Sequence, residues 1–121
     1  MIHLIFCLRR LPQLSREEFQ RYWRETHAPL VRRYASALGI RRYVQAHTVT
    51  HPVAEAARAA RGAGAEYDGV AELWFDDDAF ARHGGTAEAI EAGRMLLEDE
   101  RRFIDLAESP IFFAHDNLVV G

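Results

Sequence analysis

The stretch 15–38 constrains the fold more than any other part of the sequence, because it marks both ends of one helix and its buried side. Ser15 and Glu18 form a capping box, in which each side chain can accept the backbone N–H of the other residue. Gly39 follows the helix pattern and predicts its end, since glycine takes the left-handed conformation at no steric cost. Apolar residues at helical spacing predict one buried stripe, formed by Phe19, Trp23, Leu30, Tyr34 and Leu38.

Two residues of this helix depart from a plain amphipathic pattern. His27 lies on the stripe, one turn beyond Trp23, and places a titratable ring on an apolar face. Pro29 cannot donate a hydrogen bond to the carbonyl of Glu25, so the sequence predicts a kink or break near His27. Three interpretations of the histidine follow: a core residue bonded to a backbone carbonyl, a ring aimed into a cavity that the kink opens, or a metal ligand.

Length and composition indicate one globular domain, 1–121, with 49% hydrophobic residues. The net charge of −3 gives no support for binding to nucleic acid or to an anionic membrane surface. Every basic residue is arginine, which excludes a Schiff-base or P-loop lysine, and the single cysteine, Cys7, excludes an internal disulfide. The apolar run 2–8 is too short for a membrane span and lacks a following cleavage site, so we expect a cytoplasmic protein.

The order of predicted elements indicates the fold class. The predicted strands are 2–8, 41–50, 67–75 and 111–120, and the predicted helices after the first are 53–61, 79–83 and 86–107. Gly93, inside the last helix, predicts close packing against a neighbouring backbone. Two right-handed crossovers in a βαββαβ order predict an α+β, ferredoxin-like fold, with a four-stranded, mainly antiparallel sheet and the helices on one face.

The other face of this sheet is also apolar. The first strand is apolar on both sides, and the last strand carries Phe112, Leu118 and Val120 opposite Ile111, Phe113 and Val119. A face of this kind must be covered by something outside the chain. We expect a homodimer that packs sheet against sheet.

Three motifs, in this order, resemble the EthD family. They are Ser15-x-x-Glu18-Phe19-x-x-Tyr22-Trp23-x-x-x-His27-Ala28-Pro29-Leu30, then Tyr67-Asp68-Gly69-Val70-Ala71-Glu72-Leu73-Trp74-Phe75, then Glu98-Asp99-Glu100-x-x-Phe103-Ile104-Asp105. The resemblance covers nearly the whole chain and implies a dimeric α+β barrel. The wider superfamily includes polyketide cyclases, cofactor-free monooxygenases, muconolactone isomerases and haem-degrading enzymes, so the fold alone implies no single reaction. Several of these relatives have a cavity between sheet and helices, where a histidine acts as an acid or base.

Two further histidines are candidates for such a site. His3 is placed like a first-strand histidine that lines the cavity of some plant polyketide cyclases, and its alternative is a strand-end residue half in solvent. His83 lies in the last turn of a short helix, whose dipole favours the protonated ring, and its alternative is a structural helix cap. His47 and His51 lack a third ligand nearby, so no metal site is expected.

The last two strands supply polar candidates for the site. Glu72 and Trp74 point to the same side of the third strand. His115 and Asn117 share one face of the last strand and Asp116 takes the other, which indicates either a polar pocket or a dimer contact. The sequence does not separate these two interpretations.

These residues support a first hypothesis and two alternatives. The first is a cofactor-independent enzyme that performs proton transfer on a small apolar, aromatic or polyketide-like molecule, by cyclisation, isomerisation, dehydration or deprotonation before oxygen attack. Its cavity lies between the first helix and the sheet, with the catalytic candidates His27, His83 and His3 and the substrate-binding candidates Tyr22, Trp23, Glu72, Trp74 and His115. The alternatives are a non-catalytic ligand carrier or accessory protein to an oxygenase, and a haem-binding or haem-degrading protein.

Overall fold

Four strands form a single antiparallel sheet in the computed structural model, which describes residues 1–121. The strands are β1 (Ile2–Leu8), β2 (Ile40–His47), β3 (Gly69–Phe75) and β4 (Ile111–Ala114), in the order β2-β3-β1-β4. Each neighbouring pair is antiparallel, with Leu4 opposite Leu73 and His3 opposite Trp74. This topology confirms the ferredoxin-like, α+β prediction.

Five α-helices connect and cover these strands. They are α1 (Arg16–Tyr22), α2 (Ala28–Leu38), α3 (Pro52–Arg61), α4 (Ala79–His83) and α5 (Ala87–Glu100), with a short 3₁₀ turn at Leu106–Glu108. None of the helices is long and apolar enough to cross a membrane. The predicted capping box is present, because the Glu18 N–H donates to Ser15 Oγ at 3.0 Å and the Ser15 N–H donates to the Glu18 carboxylate at 2.9 Å. Gly39 ends α2 in the left-handed conformation, with φ at 74°.

A π-helical turn, Trp23–His27, joins α1 to α2 and accounts for the predicted irregularity. The Ala28 N–H donates to the carbonyl of Trp23, which also accepts Gln45 Nε2 at 3.0 Å. Pro29 has no N–H to continue the α-helical pattern from Glu25, so a wider turn is a physically reasonable outcome. The extra residue in this turn makes Val31 the buried residue of the next turn, where the regular helical spacing had predicted Leu30.

The core lies between the helices and one face of the sheet. Its fully buried cluster consists of Leu8, Phe19, Trp23, Ala71, Phe103 and Ile104. Alternate side chains of β1 and β3 supply the sheet side of this layer, since successive residues of a strand point to opposite faces. The first helix thus places its aromatic residues directly over the two central strands.

The C-terminal part of the chain departs most from the sequence-based expectations. The last strand ends at Ala114 and residues 115–121 form no regular structure, whereas the apolar alternation had predicted a strand to residue 120. The last helix ends at Glu100, before the expected residue 107. Gly93 was also wrongly interpreted, because a Cβ at this position would meet no atom within 4 Å. It faces a cavity instead of a close backbone.

Candidate functional site

Two adjoining cavities lie between the sheet and the helices. The larger has a volume of about 240 Å³ and the smaller a volume of about 60 Å³. Both are lined by Phe6, Leu73, Leu96 and Glu100. The larger cavity extends towards α4, and the smaller one extends towards the π-turn, where the His27 ring forms part of its wall. We refer to the two together as the helix-side cavity.

His27 is held by a buried carboxylate from α5. Its Nδ1 lies 2.7 Å from Asp99 Oδ2, and the two residues are only 5% and 3% exposed. Asp99 Oδ1 accepts the hydroxyl of Tyr22 at 2.6 Å and Arg102 Nη1 at 3.0 Å. His27 is the last residue of the π-turn and is buried, as Trp23 is at the start of the turn.

The electrostatics of this pair favour a neutral imidazole beside an ionised carboxylate. Burial lowers the pKa of His27 below its ordinary value, although Asp99 acts in the opposite direction. Burial would raise the pKa of Asp99, but hydrogen bonds from Tyr22, His27 and Arg102 lower it below its ordinary value. The carboxylate accepts a proton-bearing Nδ1, so Nε2 carries the free lone pair. The structure gives Nε2 no hydrogen-bond partner, and the residue can therefore act as a base towards the cavity.

Glu100 places a carboxyl group in the cavity itself, which Asp99 does not line. Burial, together with the neighbouring charge of Asp99, raises the pKa of Glu100 to about 7, while Arg101 opposes this shift. No hydrogen bond or ion pair to another residue involves the Glu100 carboxyl group. The site therefore contains a base and a carboxyl group that is largely protonated below neutral pH.

Besides His27, three of the residues predicted for the site lie on the helix side of the sheet. Trp23 lines the smaller cavity, and its Nε1 donates to the hydroxyl of Tyr43 at 3.2 Å. Tyr22 does not line the helix-side cavity, because its hydroxyl group is bound to Asp99. His83 lines the larger cavity and its ring lies over Gly39, where a Cβ would come within 2.7 Å of Cδ2.

The other predicted residues lie on the opposite face of the sheet. His3 stacks on Trp74 with 4.1 Å between ring centroids, and Asp116 accepts from both rings, at 2.6 Å and 2.9 Å. His3 Nε2 also lies 3.1 Å from the Glu72 carboxylate, without hydrogen-bond geometry. Trp74 and His115 border an open concavity on this face. The expectation that Trp74 lines the same cavity as Trp23 was therefore wrong, as was the placement of His3, Glu72 and His115 in that cavity.

The reason for this separation is the alternation of the strands. Leu4 and Leu73 face the helices, so their neighbours His3, Glu72 and Trp74 must face away from them. The alternation correctly placed Glu72 and Trp74 together. It did not indicate which of the two faces the helices would cover.

The remaining histidines have local roles. His51 caps α3, accepting the Val53 N–H at Nδ1 over 3.1 Å. His47 Nε2 lies 2.8 Å from Gln45 Oε1, and its ring packs on Trp23. No group of three histidine, cysteine, aspartate or glutamate residues is arranged to hold a metal ion.

Asp99 and Glu100 were not identified as site residues from the sequence. A signal for Asp99 was present, because it follows Ala89, Ala92 and Leu96 at helical spacing and precedes Phe103. A carboxylate at that position of an apolar stripe is as anomalous as His27 is on its own helix. No comparable signal exists for Glu100, which lies in a run of charged residues.

The chain matches one family model and several solved structures of similar fold. A family model described as EthD domain matches residues 11–107. An EthD family protein from Bacillus halodurans is 19% identical, with 97% of this chain and 99% of that chain covered and a TM-score of 0.61. HapK from Hahella chejuensis is 15% identical, with 100% and 96% covered and a TM-score of 0.55. An EthD-like protein from Ralstonia eutropha is 13% identical, with 93% and 89% covered and a TM-score of 0.54.

These structural likenesses show a shared fold at low sequence identity. No curated protein sequence matches the chain. The chemistry of the site must therefore be argued from its own residues.

Proposed function

This chain belongs to the EthD family, and from that membership and its cavity we propose that it binds a small, largely apolar molecule on which His27 moves a proton. The observation that carries the proposal is the His27 ring, which is fixed by Asp99 at Nδ1 and lines the helix-side cavity. A carboxylate in this position holds the imidazole in one tautomer and stabilises the cation that forms when it accepts a proton.

The walls of the cavity favour an apolar ligand. Ten of the fourteen residues that line the larger cavity are hydrophobic, so a ring system can replace water there at low cost. The reacting group can then enter the smaller cavity, where His27 and Trp23 form part of the wall. The reaction class we propose is proton transfer, which includes isomerisation, cyclisation, dehydration and deprotonation before oxygen attack.

Ligand-observed NMR with phenols, aromatic ketones and polyketide-like lactones tests this proposal. We expect at least one class to bind the wild-type protein and to be converted. We expect His27→Gln to retain binding within a few fold while conversion falls by about 10²- to 10⁴-fold, the usual contribution of a general base. Glutamine can still bond to Asp99, so loss of conversion in this variant is not attributable to an empty site.

The matched control is His115→Ala, because this histidine is exposed on the opposite face of the sheet. It should leave both binding and conversion unchanged. Conversion that survives His27→Gln would refute the role of His27. Binding without any conversion would favour a ligand carrier, and absence of binding by every class would refute the small-molecule proposal.

We also propose that the chain forms a homodimer through the face of the sheet that carries no helices. Phe112 is 48% exposed on this face, and Leu118, Val119 and Val120 in the adjoining tail are between 80% and 87% exposed. An apolar surface of this kind is typical of an interface between copies. A second copy would bury the tail as well as the sheet.

Sedimentation equilibrium at micromolar concentration tests the dimer. We expect about twice the chain mass of 13.8 kDa for the wild-type protein and about the single mass for Phe112→Glu, since burying an unpaired carboxylate opposes association. Ile90→Glu is the control, because Ile90 is more exposed than Phe112, at 63%, but lies on α5, away from this face. A monomeric wild-type protein would contradict the proposal, as would a Phe112→Glu variant that remains dimeric.

A further inference from the structure

We propose that Glu100 is the proton donor that acts together with His27, and that the cavity takes an uncharged carbonyl compound with an acidic carbon–hydrogen bond. This inference rests on the proposed function and names its substrate class. Glu100 is suited to the role by its position, since its side chain lines both parts of the helix-side cavity. His27 lines the smaller part of the same space.

The first argument is that Glu100 differs from the buried carboxylates of this chain. Asp68 accepts hydrogen bonds from Arg10 and Arg16, at 2.6 Å and 3.0 Å. Asp99 accepts from Tyr22, His27 and Arg102 as described above. The Glu100 carboxyl has no such partner, and the walls around it are apolar. Glu100 is half-buried and has no partner for its carboxyl group, an arrangement that disfavours the ionised form.

The second argument is the division of roles between two neighbouring residues. Successive residues of an α-helix point about 100° apart, so Asp99 can face the π-turn while Glu100 faces the sheet. Asp99 accepts hydrogen bonds from Tyr22, His27 and Arg102 and stays ionised. With its pKa raised to about 7, Glu100 is largely neutral below that pH, and a neutral carboxyl group can donate its O–H to an oxygen.

The two groups together perform a balanced reaction on a carbonyl compound. His27 Nε2 removes a proton from the carbon next to the carbonyl, and the electron pair of that bond forms the carbon–carbon double bond of an enol. The proton of the Glu100 O–H is transferred to the carbonyl oxygen and its bonding electron pair stays on Glu100, which leaves a carboxylate there and an imidazolium at His27. Return of a proton from imidazolium to carbon, and from the enol oxygen to Glu100, restores both groups without any oxidant or reductant.

The charge of the substrate follows from the cavity walls. No arginine lines either cavity, and the sequence contains no lysine. A substrate carboxylate or phosphate bound there would have no fixed cation to pair with beyond a histidine, which makes its desolvation unfavourable. An uncharged carbonyl oxygen instead matches the single donor that Glu100 supplies.

Exchange of the α-hydrogens of 1-indanone in deuterated water, followed by NMR, tests this inference. This probe has two fused rings, one carbonyl group and no charge. We expect the wild-type protein to accelerate the exchange and Glu100→Gln to reduce the acceleration by on the order of 10²-fold. The wild-type rate should also fall as the pH rises above about 7, where Glu100 ionises, and Glu100→Gln should lack this fall.

The control is Glu98→Gln, since Glu98 is exposed on the same helix and pairs with Arg94. It should leave the rate and its pH profile unchanged. If His27→Gln abolishes exchange while Glu100→Gln leaves it intact, the role of Glu100 is refuted and the proposed function stands. If the wild-type protein accelerates no exchange although it binds and converts another class, the carbonyl assignment is refuted. If nothing binds or reacts, both proposals fail.

Discussion

Trp23→Ala is expected to lower the free energy of unfolding by about 3–5 kcal/mol, the usual cost of removing a large buried aromatic ring. Trp23 is only 1% exposed and lies in the main core cluster. Its ring packs on Phe19 at 5.6 Å and on His47 at 4.4 Å between centroids. Its loss also leaves the hydroxyl of Tyr43 without one of its hydrogen bonds. Urea unfolding followed by circular dichroism measures the change, and a loss of this size is a large part of the stability of a domain.

Two variants control this experiment. Trp23→Phe keeps most of the apolar contact and should cost clearly less than the alanine variant. Trp74→Ala removes the other tryptophan, which lies half-buried on the opposite face, and should also cost less. If Trp23→Ala lowered the free energy of unfolding by no more than Trp74→Ala, the assignment of Trp23 to the centre of the core would be refuted.

Glu100→Gln is expected to change how stability depends on pH. The folded-state pKa of Glu100 is about 7, against 4.5 for the ordinary carboxyl group. The folded state therefore holds the Glu100 proton more tightly than the unfolded chain does. The resulting stability is fully present below the pKa of the unfolded chain and is lost as the pH rises through the pKa of the folded protein. The loss in the wild-type protein is on the order of 3 kcal/mol between pH ~4.5 and pH above ~7, at about 1.4 kcal/mol per pH unit.

Urea unfolding of the wild-type protein and Glu100→Gln across this range isolates the effect. The two should be similar in stability near pH 4.5, and the variant should be the more stable one at pH 8. His27 acts in the opposite direction. Its pKa is lower in the folded protein than in the unfolded chain, so the folded state loses stability as the pH falls below the ordinary histidine pKa. Comparing both proteins at each pH removes that shared contribution. A difference between them that is constant over the whole range would contradict the raised pKa of Glu100.

Much of the fold followed from local patterns. Ser15, Glu18 and Gly39 set the ends of the first helix through their own backbone preferences, so the sequence predicted them well. The end of β4 could not be predicted in this way. Leu118, Val119 and Val120 are apolar, as in a strand, but pairing with the only neighbouring strand ends at Ala114. Apolar alternation reports the propensity for a strand, whereas pairing depends on which partner is present.

The site was predictable only in part, for a related reason. His27 was recognisable because a titratable ring interrupts an apolar stripe. Its partner Asp99 lies 72 positions later, and only the packing of α5 against the π-turn brings them together. His3 and Trp74 were assigned to the wrong side, because alternation groups residues by face without saying which face is covered. Pairing across the fold is tertiary information that a single sequence does not carry.

The π-turn also determines how this chain can be aligned with its relatives. Leu38 lies 19 positions after Phe19, and both face the sheet. Five turns of a regular α-helix take about 18 residues, so one residue is surplus and Trp23–His27 accommodates it. A homologue with an uninterrupted helix would align correctly only through a one-residue gap within this turn. Without that gap, buried positions on one side of the turn would be aligned with exposed positions of the homologue. His27, the base of the site, would then be aligned with a surface residue.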